Sequence, residues 1–370
     1  MTTRIKHVVI VGAGRSGLAI AYMLQTDGRY SFELVVPVEE AYRIAHAQDF
    51  SVIAISGTDQ KKIKPIFDNA DVVVMTGPES IATTVASLAL QSNCHYIDLN
   101  ENSNTTSEIA KIAQNANTSF VPRCGIAPGY ITSVVADMIQ KSGVNTEICA
   151  YVGVLPSQKI NRLGYANLWN VDGLITEYTQ PCHAILNGQK QLIPPLTKYE
   201  NLTIAGQNYE AFTTSGSVDE LVTKYNGKIK SLVFKTLRYQ GHLDYFKFLF
   251  DDLGLKDRKN FLKNILMNGL PVVKQDEIIL FITSKFQECN TPNSLTYVKH
   301  FTQIIKSKDN ENPLYGNTLS RATSAHACSV IDYVCSPENS HKGLLNHESI
   351  SPDLLKNSPF YEMLLTENTC

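Results

Sequence analysis

Three features of this 370-residue chain predict an α/β fold, a doubly wound parallel sheet with an inserted α+β domain containing a mostly antiparallel sheet. Short apolar strands alternate with helical segments through the first third, a glycine-rich turn follows the first strand, and the pattern changes character after residue 145.

In the first strand, His7–Val11, the run from Val8 to Val11 is wholly apolar, as expected where both faces of a parallel strand are covered. Gly12-Ala13-Gly14-Arg15-Ser16-Gly17 follows with the G-x-G-x-x-G spacing, and Ser16–Gln25 reads as a helix that stops at Asp27-Gly28. In this strand–turn–helix context each glycine has a physical reason. Gly12 makes the tight turn, Gly14 lets backbone approach a pyrophosphate, and Gly17 lets the helix pack closely on the strand. The helix N-terminus adds free N–H groups and a partial positive charge for the phosphates. The expected ligand is a dinucleotide, NAD or NADP, on a Rossmann-type sheet.

The other strands of this sheet are expected at Phe32–Val36, Val52–Ile55, Val72–Met75, His95–Leu99 and Ser119–Val121, with helices over Glu39–Ala47, Ile81–Gln91 and Thr105–Asn117. Such sheets bind ligands outside the carboxyl ends of their strands, which adds Thr76, Gly77, Pro78 and Asp98 to the cofactor candidates. The second strand ends irregularly. An NAD site usually closes it with an acidic residue for the ribose hydroxyls, but here Pro37 intervenes and Glu39 and Glu40 come late. Arg15 and Arg43 would instead face a 2′-phosphate, so both cofactors stay open.

Past residue 145, strands are expected at Glu147–Val154, Lys228–Leu237, Glu277–Thr283 and Leu295–Ile305. Ala184–Leu186 and Gln189–Ile193 flank Asn187-Gly188, a strong hairpin signal. Helices are expected over His242–Leu253, Lys256–Met267 and Ser320–Val334, with shorter helical pieces in Leu344–Leu365.

A net charge of −2 gives no basic field for nucleic acid or a membrane surface, and no apolar run is long enough to span a bilayer. The N-terminus reads as a strand, not a signal peptide. Eight cysteines without a C-x-x-C pair fit reduced thiols in the cytoplasm, and nine histidines without local ligand spacing predict no metal.

Four segments, in this order, resemble the saccharopine dehydrogenase superfamily, closest to its lysine 6-dehydrogenase-like members. They are the Gly12–Gly17 turn, Cys124-Gly125-Ile126-Ala127-Pro128-Gly129, Leu155-Pro156 with Asn161-Arg162-Leu163-Gly164-Tyr165, and Leu237-Arg238-Tyr239-Gln240-Gly241-His242. Arg321-Ala322-Thr323-Ser324, Gly343-Leu344 and Glu348 continue the likeness to the end of the chain. The resemblance implies a dinucleotide-binding domain over residues 1–128 and 320–370, a substrate-binding and dimerisation domain over 129–319, and a homodimer. It also implies hydride transfer between nicotinamide and the C–N bond of a lysine-like amino acid.

Within that frame, Ala127, Pro128 and Gly129 would open a helix whose N-terminus receives a substrate carboxylate, Pro128 setting φ and Gly129 leaving room for the ligand. Asn161 and Tyr165 lie in a loop ending at Trp169, the only tryptophan, and their polar groups suit an amino-acid head group. Arg238 would grip a carboxylate in bidentate fashion. The base that keeps the amine neutral would be His242, Tyr165, Asp98 or Glu101. The chain departs from the saccharopine reductases at Ala127, where they carry an acidic residue, and at Asp172, where they carry a basic one. An acidic Asp172 favours an amine-bearing substrate. Two rival functions remain open: reductive condensation of an aldehyde with an amine, as in polyamine or opine-like metabolism, and a catalytically inactive nucleotide sensor.

Overall fold

The computed structural model describes residues 5–40, 44, 50–55, 59–288, 295–309 and 311–365. The chain divides into two compact units, one of Met1–Ser133, Asn310–Gly316 and Ser320–Leu365, the other of Val134–Asp309 with Asn317–Leu319.

The first unit holds a parallel sheet of β1 (Lys6–Val11), β2 (Tyr30–Val36), β3 (Val52–Ala54), β4 (Val72–Met75), β5 (His95–Asp98), β6 (Ser119–Val121) and the short strand Gly343–Leu344. Its order is Gly343–Leu344, β6, β5, β4, β1, β2, β3. The doubly wound sheet expected from the sequence is therefore present. Val8 to Ile10 and Val72 to Val74 are 0% exposed, because β1 and β4 pair on both sides and are covered on both faces. The strand order reverses between these two strands, which puts the crevice of the sheet beside the turns that follow them.

The helix expected after β1 spans Arg15–Asp27 and ends where Gly28, at φ 74°, returns its N–H to Leu24 O. The helix over Glu39–Ala47 and residue Arg43 lie largely or wholly outside the described residues. A helix at Gln60–Phe67 was not expected. Its three lysines and Pro65 hide a face that buries only Ile63 and Phe67, and Asp59 caps it by accepting from Lys62 N. The helix expected from Thr105 starts at Ser103, because the Asn102 carboxamide accepts from Asn104 N and Thr105 N. It ends at Ala113, short of the expected Asn117.

The second unit is built on β7 (Val144–Pro156), β8 (Cys182–Leu186), β9 (Gln189–Ile193), β10 (Glu200–Ile204), β11 (Gln207–Thr213), β12 (Ser231–Tyr239), β13 (Asp276–Gln287) and β14 (Thr296–Lys306). The order is β10-β11-β12-β7-β13-β14, with the β8–β9 hairpin attached to β12. Only β12 and β7 run parallel, so the sheet is mostly antiparallel as expected. Asn187 and Gly188, at φ 51° and 79°, make the expected hairpin turn. Ala205 and Gly206, at φ 50° and 81°, make a second turn of the same kind that the sequence disguises by placing alanine where asparagine is usual. Helices at Val171–Thr179 and Asp219–Tyr225 also went unforeseen. The helix expected over His242–Leu253 is helical to Lys247 and continues as a wider turn over Phe248–Asp252.

One expectation needs correction. Pro128 does not open the helix that follows it: the helix starts at Tyr130, and the Ala127–Pro128 peptide bond is cis. Gly129, at φ 118°, turns the chain so tightly that a Cβ there would lie 2.2 Å from Gly125 O. Its missing side chain makes room for the chain's own backbone.

The same reasoning separates two glycines of the first turn. A Cβ on Gly17 would sit 2.3 Å from Gly12 O, whereas a Cβ on Gly14 would meet nothing within 4 Å. Gly17→Ala should therefore lower the unfolding free energy by about 1–3 kcal/mol through overpacking. Gly14→Ala should change it by less than about 1 kcal/mol. Chemical denaturation of the two variants checks the contrast, and equal losses would contradict it.

Candidate functional site

Two groups of side chains carry chemistry, one in each unit. In the first unit, the turn after β1 and the turn after β4 touch. A Cβ on Gly12 (φ 109°) would lie 2.6 Å from Gly77 N, and one on Gly77 would lie 3.3 Å from Val11 O. Thr76 Oγ1 donates to Gly12 O at 2.9 Å and its N–H donates to Val11 O at 2.9 Å, so Thr76 clamps the glycine turn. Pro78 then leads into a helical turn over Glu79–Ile81. The Arg15–Asp27 helix starts at Gly14, and its first turn contains no acidic side chain. Ala13 is buried, Arg15 is exposed at the first helical position, and Ser16 O accepts from Ser324 Oγ at 3.1 Å. Open space at Gly14, unopposed helix N–H groups and an absence of nearby negative charge in that turn are what a pyrophosphate requires. Glu39 is exposed on the far side of Pro37.

The second unit gathers Arg238, Tyr165, Tyr178 and His242. Arg238, near the end of β12, is 2% exposed. Its Nε donates to Tyr178 Oη at 2.8 Å and an Nη donates to Leu237 O at 2.9 Å. The guanidinium lies 4.8 Å from the Tyr165 ring centroid and 5.8 Å from that of Tyr178. No carboxylate among the described residues forms an ion pair with it. That is unusual, because buried charges are normally paired.

Hydrogen bonding fixes the rest of the chain of groups. His242 Nδ1 lies 2.8 Å from Leu163 O, which can only accept, so this nitrogen carries the proton. Nε2 is then the acceptor for Tyr178 O–H at 3.0 Å. The polar run is Arg238 to Tyr178 to His242 to Leu163. Glu210 on β11 holds the start of the His242 helix, accepting from Leu243 N at 2.6 Å and Gly241 N at 2.9 Å. Phe246 stacks on the imidazole at 4.7 Å between centroids, and Phe212 flanks it at 6.3 Å. Burial, with the Arg238 charge adding to it, pushes the His242 pKa well below its ordinary value. His242 is thus held as a neutral ring with both nitrogens hydrogen-bonded inside the protein.

The other expected residues divide by location. Asn161 binds Tyr165 twice, Nδ2 to O at 2.9 Å and Oδ1 from N at 3.3 Å, so its amide staples the loop. Tyr165 Oη accepts from Trp169 Nε1 at 2.7 Å, and both residues line a small cleft with Val171, Leu174 and Leu270. Asp172 is not in this group: it is exposed, and ion-paired with Lys263 at 2.5 Å. In the first unit, Asp98 is 0% exposed and its Oδ1 accepts from Asn100 N and Arg123 N. Burial raises its pKa to about 6. Glu101 is exposed. Tyr178 and Glu210 escaped the sequence reading, since a lone tyrosine on a helix and a glutamate on a strand carry no local pattern.

Comparison with known proteins bears on both units. The model of the saccharopine dehydrogenase NADP-binding domain matches residues 8–121, and that of the saccharopine dehydrogenase C-terminal domain matches residues 124–364. The mitochondrial alpha-aminoadipic semialdehyde synthase of Rattus norvegicus is 22% identical over 279 residues, 70% of this chain but only 29% of that protein. Saccharopine dehydrogenase [NADP(+), L-glutamate-forming] of Saccharomyces cerevisiae is 21% identical over 304 residues, covering 76% of this chain and 67% of the relative. The solved structure of the apo yeast saccharopine dehydrogenase (L-Glu forming) superposes with a TM-score of 0.73 at 15% identity, over 95% of each chain. This supports the fold. No helix of the described residues is long and apolar enough to cross a membrane.

The buried neutral His242 has a consequence for stability. Above pH 6.5 the ring is neutral in both folded and unfolded chains. As pH falls below that value, the unfolded chain takes up a proton that the native site refuses, so stability drops by up to about 1.4 kcal/mol per pH unit from this residue. Denaturation of wild type and His242→Gln at pH 7.5 and 5.5 should show a shallower pH dependence in the variant, by about one proton. Equal slopes would mean that the native ring titrates freely.

Proposed function

The chain belongs to the saccharopine dehydrogenase family, and from that premise we propose an NAD(P)-dependent oxidoreductase that acts on the C–N bond of a lysine-derived amino acid. The observation that carries the reading is Arg238. A buried guanidinium that forms no ion pair with a carboxylate suits a substrate carboxylate, which would approach it as a bidentate counter-ion. The ring faces of Tyr165 and Tyr178 hold its plane, and the Tyr178–His242–Leu163 hydrogen bonds hold Tyr178. In this reading His242 positions Arg238 through Tyr178 and does not exchange protons with substrate.

The turn at Gly12, Gly14 and Gly17 supports the cofactor half of the proposal, with the helix N–H groups at Arg15 and Ser16 for the pyrophosphate. When bound, NAD(P) supplies the hydride acceptor for the amine-bearing carbon. Residues 1–128 with 320–370 would serve the cofactor, and 129–319 the substrate. The same reading includes a homodimer, supported by the second unit's open sheet edges at β10 and β14, and a cytoplasmic location, supported by the free thiols of the six described cysteines. Sedimentation at micromolar concentration should show the dimer, and a monomer there would remove it.

Two variants test the assignment with NADP and NAD supplied separately. Gly14→Val should abolish cofactor affinity while leaving the fold intact, and unchanged affinity for both cofactors would misplace the site. Arg238→Ala should reduce turnover of lysine-like or saccharopine-like substrates by tens- to thousands-fold, the loss of about 2–5 kcal/mol typical of one partner in a buried charged pair. Cofactor affinity should be unaffected. A diamine of the same length, lacking the carboxylate, should lose little. If diamine and amino acid lost equally, Arg238 would be structural only.

A further inference from the structure

Three residues far apart in the sequence meet in the first unit. Cys124 follows β6, His326 lies in the Thr318–Cys335 helix, and His347 opens the turn His347–Ser349. The Cys124 sulfur and one ring nitrogen from each histidine all lie within 4.8 Å of one another. The three residues are 0%, 0% and 2% exposed.

The hydrogen bonding here is incomplete in a specific way. Neither Nδ1 nor Nε2 of His326 has a partner, and Nδ1 of His347 has none. A buried imidazole left bare at both nitrogens is costly, because each unsatisfied polar group forfeits its hydration. His347 Nε2, in contrast, sits 3.0 Å from Pro122 O, so it carries the proton and leaves Nδ1 with a free lone pair. This is how metal-binding histidines are usually oriented, with the far nitrogen donating to a backbone carbonyl. Cys124 is anchored by its own N–H, which donates to Asp98 O at 2.7 Å. Two imidazoles and a sulfur are the ligand set of thiophilic d10 ions. Bonds of about 2.0–2.3 Å place ligand atoms about 3.3–3.8 Å apart, so the side chains need close by only about 1 Å.

We propose that Cys124, His326 and His347 form a buried site for one thiophilic d10 metal ion, Zn2+ or Cu(I). On binding, the Cys124 thiol gives up its proton to solvent as its sulfur coordinates, and no oxidant or reductant is consumed. The ion ties the exit of β6 to two segments of the C-terminal return, so its effect is a cross-link, independent of the cofactor turn.

The test uses full-length protein, stripped by a chelator and kept reduced without thiols. Zn2+ and Cu(I) are added separately, and bound metal is counted after dialysis. Wild type should retain one equivalent of at least one ion and gain about 5 °C or more in melting temperature, as a ligand that binds only the folded state does. Cys124→Ser and His326→Phe should lose both effects. In the stripped state His326→Phe should be at least as stable as wild type, because it removes unsatisfied polar atoms, and this shows that its loss of metal is not misfolding. Retention of neither ion by wild type, or retention undiminished in both variants, would overturn the site. The readouts are stoichiometry and melting, so they stand or fall separately from any dehydrogenase activity.

Discussion

A positive charge held out of water organises the second unit. Arg238 reaches its place because β12 carries it beneath two aromatic faces, and everything around it serves either to hold the guanidinium or to keep water away. Tyr178 Oη accepts a hydrogen bond from Arg238 Nε and donates its own to His242 Nε2, and Glu210 fixes the short helix that starts at His242. Each of these groups is polar, buried and hydrogen-bonded, whereas the guanidinium forms no direct ion pair and feels the Glu177 carboxylate only through space. Buried polar networks of this kind hold their members in one arrangement, because each lost hydrogen bond in a low-dielectric interior is costly.

The first unit works by the opposite means, through absence of side chains. Gly12 and Gly17 are glycine because backbone already occupies the space a Cβ would take, and Thr76 closes the turn from the neighbouring strand. Gly14 alone faces open space. The motif therefore separates into two residues that make the turn possible and one that leaves it accessible.

The sheet was legible because buried parallel strands are short, continuous and apolar: β1, β4 and β6 could be read almost residue for residue. Elements whose cause is a single contact were not. The Gln60–Phe67 helix rests on Asp59 as cap and two buried residues, and the Ala205-Gly206 turn uses an alanine in a left-handed conformation. The candidate site shows the same division. Arg238 and the glycine turn stood out by residue type and context. Tyr178 and Glu210 did not, because their roles depend on strands and helices brought together from distant parts of the chain. Asp172 lies in a surface ion pair with Lys263, and His242 lies buried between Tyr178 and Leu163, placements that residue type alone does not give.

The strand Gly343–Leu344 pairs with Ser119 and Phe120 across more than two hundred residues. The chain therefore leaves its first unit, builds the whole of the second, and only then returns to complete the first sheet. During synthesis the edge of β6 stays without this neighbour until the whole of the second unit has been made. Loop-closure entropy grows slowly with length, so the equilibrium penalty of this detour is modest. The burden falls on kinetics, since an incomplete parallel sheet with an open edge is prone to pair with the wrong chain. Early folding of the intervening unit shortens the effective distance between the two ends and so acts as an internal assembly aid.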